Sequence, residues 1–267
     1  MTYKQTVDFH NHSRFSPDGH DTMKDMCKQA IAIGLESIAF TEHVEWQPGR
    51  RIVPAPDEYF QEIKACRQQF GRLGLMVLSG VELGNPHEYK DEVEELLKRH
   101  QFDVVIASLH WLNGENIQME ACFRGRDPID VYADYFTALG EMAANVDVDI
   151  IAHFDRILWR GALMGTPLIP GRIESIIRDA LSTIAWRDCA LELNTRYLRA
   201  EPNWRGELLQ MLHWFREEGG TRVVIDSDAH GTWQLGANYD TARTMLDIVG
   251  LKPVVDIRTP EPVWKRP

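Results

Sequence analysis

The sequence lacks the features that mark secreted, redox-active or membrane proteins. It has only four cysteines in 267 residues, far apart and without a CxxC pair, so neither a dense disulfide framework nor a cysteine-based zinc knot is indicated. No run approaches the roughly 18 apolar residues of a membrane span, and the N-terminus lacks the charged-then-apolar order of a signal peptide. We therefore expect a cytoplasmic protein with no membrane partner.

Positive charge is also scarce. The 29 Lys and Arg residues are outnumbered by 40 Asp and Glu residues, which gives a formal net charge of −11. Binding to a nucleic-acid backbone depends on clustered Lys and Arg, so this balance argues against a nucleic-acid partner. With 44% apolar residues, the chain has the composition of a globular protein with a large core.

Seven short segments have the composition of β-strands. They are rich in apolar or β-branched residues, and most are near-continuous apolar runs, which is typical of parallel strands covered on both faces. The seven predicted strands are Thr6–His10, Ser37–Thr41, Leu75–Val81, Val104–Leu109, Asp149–His153, Ala190–Asn194 and Arg222–Asp226.

Helical segments lie between these strands. One example has apolar residues at Tyr59, Ile63, Cys66 and Phe70, a spacing that places them on one helical face. Gly34 and Gly74 are predicted to end helices, and Asp127-Pro128 to begin one.

Strand and helix alternate with no linker, which predicts an α/β protein with one (β/α) barrel domain over residues 1–267. An open doubly wound sheet is the alternative. That fold usually begins with a glycine-rich turn, whereas this chain has His10-Asn-His-Ser after its first strand.

Six of the seven predicted strands end in candidate metal ligands. They are His10 and His12, His43, Glu82, His110, His153, and Asp228 with His230. In a parallel barrel the carboxyl ends of all strands open on one face, so these side chains are expected to converge. Residues two apart on an extended strand point to the same side, which pairs His10 with His12 and Asp228 with His230.

A lone histidine at a strand end is more often a simple hydrogen-bonding residue. Here six of the ten histidines lie at strand ends, and we assign no role to His20, His87, His100 and His213. Imidazole and carboxylate ligands without thiolate suit zinc, iron or manganese, and leave the choice among the three open. Glu82 is the candidate bridging carboxylate.

These motifs resemble the polymerase and histidinol phosphatase (PHP) superfamily along the whole chain. The matching segments are Asp8-Phe-His-Asn-His-Ser, Ser16-Pro-Asp-Gly19, Phe40-Thr-Glu-His43, Gly80-Val-Glu82, Ser108-Leu-His110, Ala152-His-Phe-Asp155 and Asp226-Ser-Asp-Ala-His230. The length and Leu193-Asn-Thr-Arg196 look most like the histidinol-phosphate phosphatases.

The resemblance implies a distorted (β/α)7 TIM-like barrel with three divalent metal ions at the carboxyl ends of its strands. The implied ligands are His10, His12, Glu82 and Asp228 for the first metal, Glu82, His110 and His153 for the second, and Asp18, His43 and His230 for the third. Relatives often have histidine at the position of Asp18. Pro-Asp-Gly is also a common turn, so Asp18 could instead only shape the backbone.

The implied activity is phosphomonoester hydrolysis, with attack of a metal-bridging hydroxide on phosphorus and histidinol phosphate as the favoured substrate. Glu82, Asp18 and His43 are predicted as catalytic-site residues. Arg160 and Arg196 are the candidate phosphate-binding residues, with Arg156 and Arg199 as rivals. Glu42, Asp155 and Glu45 are expected either to contact a substrate ammonium group or to orient ligating histidines, the second role being favoured for Glu42 and Asp155.

Other functions remain as alternatives at this point. They are a PHP phosphoesterase acting on a nucleotide, an oligonucleotide end or a phosphotyrosine, a non-catalytic metal-binding module, and an amidohydrolase. All nine expected ligand positions carry competent residues, which disfavours a degenerate module. No lysine lies at the relevant strand ends to serve an amidohydrolase.

Overall fold

The computed structural model describes residues 4–47, 49, 51–53, 56–187, 189–198 and 204–257. Seven parallel strands form one sheet in chain order: β1 (Val7–Asp8), β2 (Ser37–Val44), β3 (Met76–Gly84), β4 (Val104–Ser108), β7 (Ile150–Ile151), β8 (Ala190–Asn194) and β9 (Val223–Asp226). Two further short strands, β5 (Trp111–Leu112) and β6 (Glu115–Asn116), pair antiparallel to each other.

Eight α-helices lie in the described part of the chain. They are α1 (Met23–Ile33), α2 (Pro56–Phe70), α3 (Lys90–Arg99), α4 (Pro128–Asn145), α5 (Arg156–Leu163), α6 (Glu174–Trp186), α7 (Arg205–Glu217) and α8 (Tyr239–Val249). Short 3-10 turns occur at Gly71–Leu73, Pro86–Glu88, Glu120–Cys122 and Pro170–Arg172. None of the described helices is long and apolar enough to cross a membrane.

The sheet curves into a nearly closed barrel, as predicted. At the seam between the first and last strands, the backbone of Asn11 bridges that of Ala229, and His12 N donates to Ala229 O at 2.8 Å. The Asp226 carboxylate also accepts a 2.6 Å hydrogen bond from Phe9 N. These contacts join β1 to β9, which an open doubly wound sheet would leave as separate edges.

Both faces of the sheet are buried. Along β2, Ile38 and Phe40 pack with α1 and α2, whereas Ala39 packs with residues of other strands such as Leu78 and Val224. This two-sided burial explains why the strands read as continuous apolar runs. The predicted apolar face of α2, from Tyr59 to Phe70, is buried.

The predicted helix ends are confirmed. Asp127 caps α4 by accepting a 2.9 Å hydrogen bond from Ile129 N, and Pro128 is the first helical residue. Gly34 ends α1 with φ 86°, and Gly74 closes the 3-10 turn after α2 with φ 87°. Both values lie in the left-handed region that favours glycine.

The β5–β6 hairpin interrupts the expected rule that a helix follows each strand. Its turn is Asn113-Gly114, with φ 52° and 80°, the geometry that an Asn-Gly pair adopts in a tight hairpin. The hairpin lies directly after β4, at the carboxyl end of the barrel strands, and it therefore becomes a wall of the site described next.

Candidate metal centre

All nine predicted ligands lie together at the carboxyl ends of the strands. A cavity of about 170 Å³ opens there. Seven of the nine line it: Asp18, His43, Glu82, His110, His153, Asp228 and His230. His10 and His12 are fully buried and contact the same glutamate, with His10 Nε2 3.4 Å from Glu82 Oε1 and His12 Nε2 3.5 Å from Glu82 Oε2.

The potential ligand atoms form overlapping groups of three. Within each group the atoms all lie within 4.8 Å of one another, and the groups are His10-His12-Glu82, His43-Glu82-His110, His10-His153-Asp228 and His12-His43-His230. Glu82 belongs to two groups, and its two oxygens lie near different imidazoles: Oε1 is 3.3 Å from His110 Nε2 and Oε2 is 3.5 Å from His12 Nε2. This position is the one that a bridging carboxylate would need.

Asp18 lies beside the histidines with which it was grouped. Its Oδ1 is 3.4 Å from His43 Nε2, and its Oδ2 is 3.2 Å from His230 Nε2. Burial raises the pKa of this carboxyl, but hydrogen bonds from His230 and His43 outweigh burial and hold it well below its usual range. The Pro-Asp-Gly turn therefore carries a charged group into the cluster as well as shaping the backbone.

The chemistry of the donor set fits transition-metal ions. Five buried atoms of the clustered residues lack a well-aligned hydrogen-bond partner: His10 Nε2, His12 Nε2, His43 Nδ1, His153 Nδ1 and Glu82 Oε2. Leaving a buried polar atom unpaired costs roughly 1–3 kcal/mol, so several such atoms in one place point to a missing partner. Imidazole nitrogen and carboxylate oxygen are ligands that zinc, iron and manganese accept.

Polar residues behind the cluster orient the imidazoles. Glu192 Oε1 lies 2.6 Å from His10 Nδ1, and Glu45 Oε1 contacts His110 Nδ1. His12 Nδ1 lies 3.2 Å from Ser16 Oγ. Each contact occupies Nδ1 and leaves Nε2 facing the cluster, as metal-binding histidines require.

The roles expected for the nearby acids are partly corrected. Glu42 supports the cluster indirectly, since it accepts a 2.6 Å hydrogen bond from the same Ser16 hydroxyl that contacts His12. Asp155 instead accepts a 2.7 Å hydrogen bond from the Trp204 indole, so its expected role as an acceptor for a ligating histidine is wrong. Glu45 has that role through His110.

Glu192 was missed in the sequence. It is completely buried in β8, the one barrel strand without a predicted ligand, and it also accepts a 2.5 Å hydrogen bond from His153 N. The sequence does contain a signal for this role, because Glu192 is the lone acidic residue in the apolar segment Ala190-Leu-Glu-Leu-Asn. A buried carboxylate is costly unless it is paired, so this residue must have buried partners.

Opposing charges shift the pKa values of the imidazoles in different directions. Burial lowers the pKa of His43 and His110, but Glu82 next to His43 and Glu45 next to His110 overcome it and raise these values to about 10 and about 9. Burial lowers the pKa of His153 to about 4, aided by the Arg156 charge. In the absence of metal, the positive charges of protonated His43 and His110 offset the negative charges of the nearby carboxylates Glu82 and Glu45.

Two arginines line the cavity on the side of Asp228. Arg156 is buried and its Nη2 contacts Asp228 Oδ2, while Arg196 Nη1 lies 3.3 Å from Asp228 Oδ1. Arg160 does not line the cavity, because its Nε donates a 2.6 Å hydrogen bond to Gln118 O. Arg199 lies outside the described residues.

Two proposed ligands have unusual backbone conformations. His153 has φ 26° and Asp228 has φ 50°, values that cost energy for residues other than glycine. Each lies two residues past the end of its strand, β7 or β9. Such strain is typical of functional positions whose side chains are held in place by their surroundings.

Comparisons with known proteins agree with this geometry. A Clostridium acetobutylicum protein named probable histidinol-phosphatase is 29% identical over 253 residues, covering 92% of this chain and 95% of that protein. The Lactococcus lactis subsp. lactis histidinol-phosphatase is 27% identical over 247 residues, covering 91% of each.

A solved structure extends the likeness to the fold. The crystal structure of histidinol phosphate phosphatase from Lactococcus lactis subsp. lactis, complexed with zinc, L-histidinol and phosphate, has a TM-score of 0.86 and 26% identity. It covers 94% of this chain and 95% of that chain.

The PHP domain family matches residues 8–196. The match runs from Asp8 in β1 to Arg196 after β8, which is more than half of the 267 residues. It contains seven of the nine clustered residues, all except Asp228 and His230. The chain therefore belongs to the PHP domain family.

Proposed function

We propose that this chain is a metal-dependent phosphatase that hydrolyses L-histidinol phosphate to L-histidinol and phosphate in histidine biosynthesis. The observation that carries the proposal is the cavity in which the imidazole and carboxylate cluster faces the guanidinium groups of Arg156 and Arg196. The likeness to an enzyme whose crystal contains zinc, L-histidinol and phosphate supports the same substrate.

We propose three divalent ions of zinc, iron or manganese in the cluster. The three ligand sets are His10, His12, Glu82 and Asp228, then Glu82, His110 and His153, and finally Asp18, His43 and His230. The close groups His10-His12-Glu82 and His43-Glu82-His110 support a shared role for Glu82. Asp18, within 3.4 Å of both His43 and His230, supports the third set.

When bound, such ions would lower the pKa of a water molecule toward neutrality and offset charge on the phosphoryl oxygens. Side chains of the protein would supply the hydrogen bonds to the phosphoryl oxygens. Arg156 and Arg196 present N–H donors at the cavity wall, and charge-assisted hydrogen bonds from these groups suit phosphoryl oxygens. These bonds strengthen as negative charge builds on those oxygens, which favours the transition state over the bound ester.

The phosphate-binding pair is therefore revised. We retain Arg196 and replace Arg160 by Arg156, since only Arg156 and Arg196 line the cavity among the three described candidates. Glu82, Asp18 and His43 remain the proposed catalytic-site residues, because all three line the cavity and contact one another through His43.

We also propose that residues 1–267 form one barrel domain that acts in the cytoplasm. Cys27, Cys66 and Cys122 are buried, free thiols. Free thiols persist in a reducing compartment, which is where a biosynthetic phosphatase would meet its substrate.

The test is phosphate release by chelator-treated protein after addition of zinc, manganese or iron. We expect metal-restored turnover, with kcat/KM for L-histidinol phosphate orders of magnitude above that for a nucleotide monophosphate or phosphotyrosine. Equal turnover of all esters would retain the phosphatase and reject the substrate. A complete lack of phosphate release with every metal would reject the enzyme and favour a non-catalytic module.

A further inference from the structure

Groups of opposite charge line the cavity: the guanidinium groups of Arg156 and Arg196, and the carboxylate of Glu45. Arg156 and Arg196 contact Asp228, whereas the carboxylate of Glu45 contacts His110, a histidine that stacks on His153 with ring centroids 5.3 Å apart. The wall around Glu45 comes from the β5–β6 hairpin and the residues that follow it. The arginines and Glu45 contact different residues of the cluster, so a ligand in the cavity can meet guanidinium cations and this carboxylate as separate groups.

Glu45 lines the cavity but belongs to none of the three proposed ligand sets. Four described carboxylates line the cavity: Asp18, Glu45, Glu82 and Asp228. The other three belong to the proposed ligand sets, whereas Glu45 occurs in none of the close three-ligand groups. The Glu45 carboxylate contacts His110 Nδ1 and accepts a 3.2 Å hydrogen bond from the Trp111 indole N–H. An ionised carboxylate can accept about four hydrogen bonds, so Glu45 can accept more from a ligand.

The wall around Glu45 is held rigidly. Gly84 makes room for the acid, because a Cβ at this position would lie 2.2 Å from Glu45 Oε2. Asn85 is fully buried and uses its amide oxygen to accept hydrogen bonds from His110 N at 2.9 Å and Trp111 N at 3.0 Å. Arg160 fixes the far end of the wall through Gln118 O.

We propose that Glu45, with the hairpin wall of Trp111, Asn116 and Gln118, binds the cationic amine of the alcohol portion of the substrate. This inference rests on the proposed phosphatase function and names the group that selects among phosphate esters. A rigid carboxylate pairs with an ammonium group without reorganising, whereas an ester without the amine leaves Glu45 unpaired. We expect the amine to improve kcat/KM by roughly 10- to 100-fold, the value of a hydrogen bond to a charged group.

The kinetic test uses a matched pair of esters, L-histidinol phosphate and its analogue lacking the amine, with zinc-loaded protein. Wild type should prefer the amine-bearing ester, and Glu45→Gln should reduce that preference to within about threefold. Glu45→Asp keeps the charge and should retain part of the preference. A Glu45→Gln protein that loses rate equally on both esters, or that loses bound zinc, would overturn the inference and leave Glu45 as a residue that only orients His110.

A binding test separates this inference from the proposed function. Calorimetric titration of the zinc-loaded protein with L-histidinol should show an affinity at least about 10-fold lower for Glu45→Gln than for wild type. Affinity for inorganic phosphate should respond to Arg196→Ala instead. Equal L-histidinol binding by wild type and Glu45→Gln, or none by wild type, overturns the inference. Failure of the wild-type protein to release phosphate would count against the proposed function alone.

Discussion

Glu192 Oε1 lies 2.6 Å from Nδ1 of His10, and both side chains are completely buried. The other oxygen of Glu192 accepts hydrogen bonds from His153 N at 2.5 Å and from Asn194 Nδ2 at 3.1 Å. One carboxylate on β8 thus fixes the imidazole that follows β1 and the backbone of the histidine that follows β7. The geometry of the cluster thus depends on Glu192, which is not among the described residues that line the site cavity.

Replacing Glu192 should weaken metal binding. Glu192→Gln keeps the size of the side chain but removes the anionic acceptor of His10, and loss of such a partner typically lowers metal affinity about 10- to 100-fold. Metal content after competition with a graded chelator measures this effect. Glu36→Gln, at a solvent-exposed ion pair with Lys4, is the matched control and should retain wild-type content. Wild-type metal affinity in Glu192→Gln would contradict the orienting role.

Arg196 and Arg160 should differ in their effect on substrate binding. Arg196→Ala is expected to raise KM for the phosphate ester about 10-fold or more, at normal metal content, because a charge-assisted hydrogen bond is lost. Arg160→Ala should change KM less, since this residue binds Gln118 O and not the cavity. Steady-state kinetics with metal analysis measures both. A larger KM effect for Arg160→Ala than for Arg196→Ala would reverse the assignment.

The stability of the metal-free protein should depend on pH in a specific window. The pKa values of His43 and His110, about 10 and about 9, exceed the ordinary 6.5, so the folded state holds these protons more tightly than the unfolded state. Their stabilisation is complete below pH 6.5 and is lost as pH rises toward 9–10. The Tm of chelator-treated protein should therefore fall across this range.

Bound metal ions should counteract the fall in Tm at high pH. Bound cations replace the protons, so the rise in Tm on adding zinc should be larger at pH 9 than at pH 6.5. His153, whose pKa is about 4, has the opposite effect on stability and acts only below pH 6.5, outside this window. Differential scanning calorimetry at several pH values measures both curves. A metal-free Tm that rises between pH 6.5 and 9 would show that the cluster is not held by protons.

The hairpin turn should be sensitive to a side chain at Gly114. With φ 80°, Gly114→Ala is expected to cost about 1 kcal/mol and to disturb the cavity wall, lowering kcat/KM. Gly171→Ala is the matched control, because a Cβ there meets no atom within 4 Å and its φ is not in the positive range. Chemical denaturation and steady-state kinetics compare the two variants. Equal stability would mean that the turn tolerates alanine.

The sequence predicted the barrel and the positions of the clustered residues because both depend on local patterns. Strand and helix alternate along the chain, and every donor except Asp18 lies at or shortly after the carboxyl end of a strand. Parallel strands therefore bring these donors to the same face without any knowledge of packing. Gly34 and Asp127 likewise act within one turn of the chain. These features needed no information about distant contacts.

The remaining features depend on distance in three dimensions. Arg156 and Arg160 are one helical turn apart, a rise of about 6 Å, and that step decides which guanidinium reaches the cavity. Asp155 and Glu45 both follow barrel strands, yet their partners, Trp204 and His110, are distant in sequence. The Asn113-Gly114 hairpin was readable, since this pair is a strong turn signal, but the regular strand–helix alternation obscured it.

The seam of the barrel also determines when the site can exist. Phe9 and Asp226, which join across it, are 217 positions apart, and Asp228 and His230 lie beyond the last strand. Ribosomes deliver a chain from its N-terminus, so a nascent polypeptide presents seven of the nine clustered residues long before the final two emerge. The second ligand set, Glu82, His110 and His153, is thus complete early in synthesis, whereas the first and third sets require Asp228 and His230 and are complete only after β9 has been made.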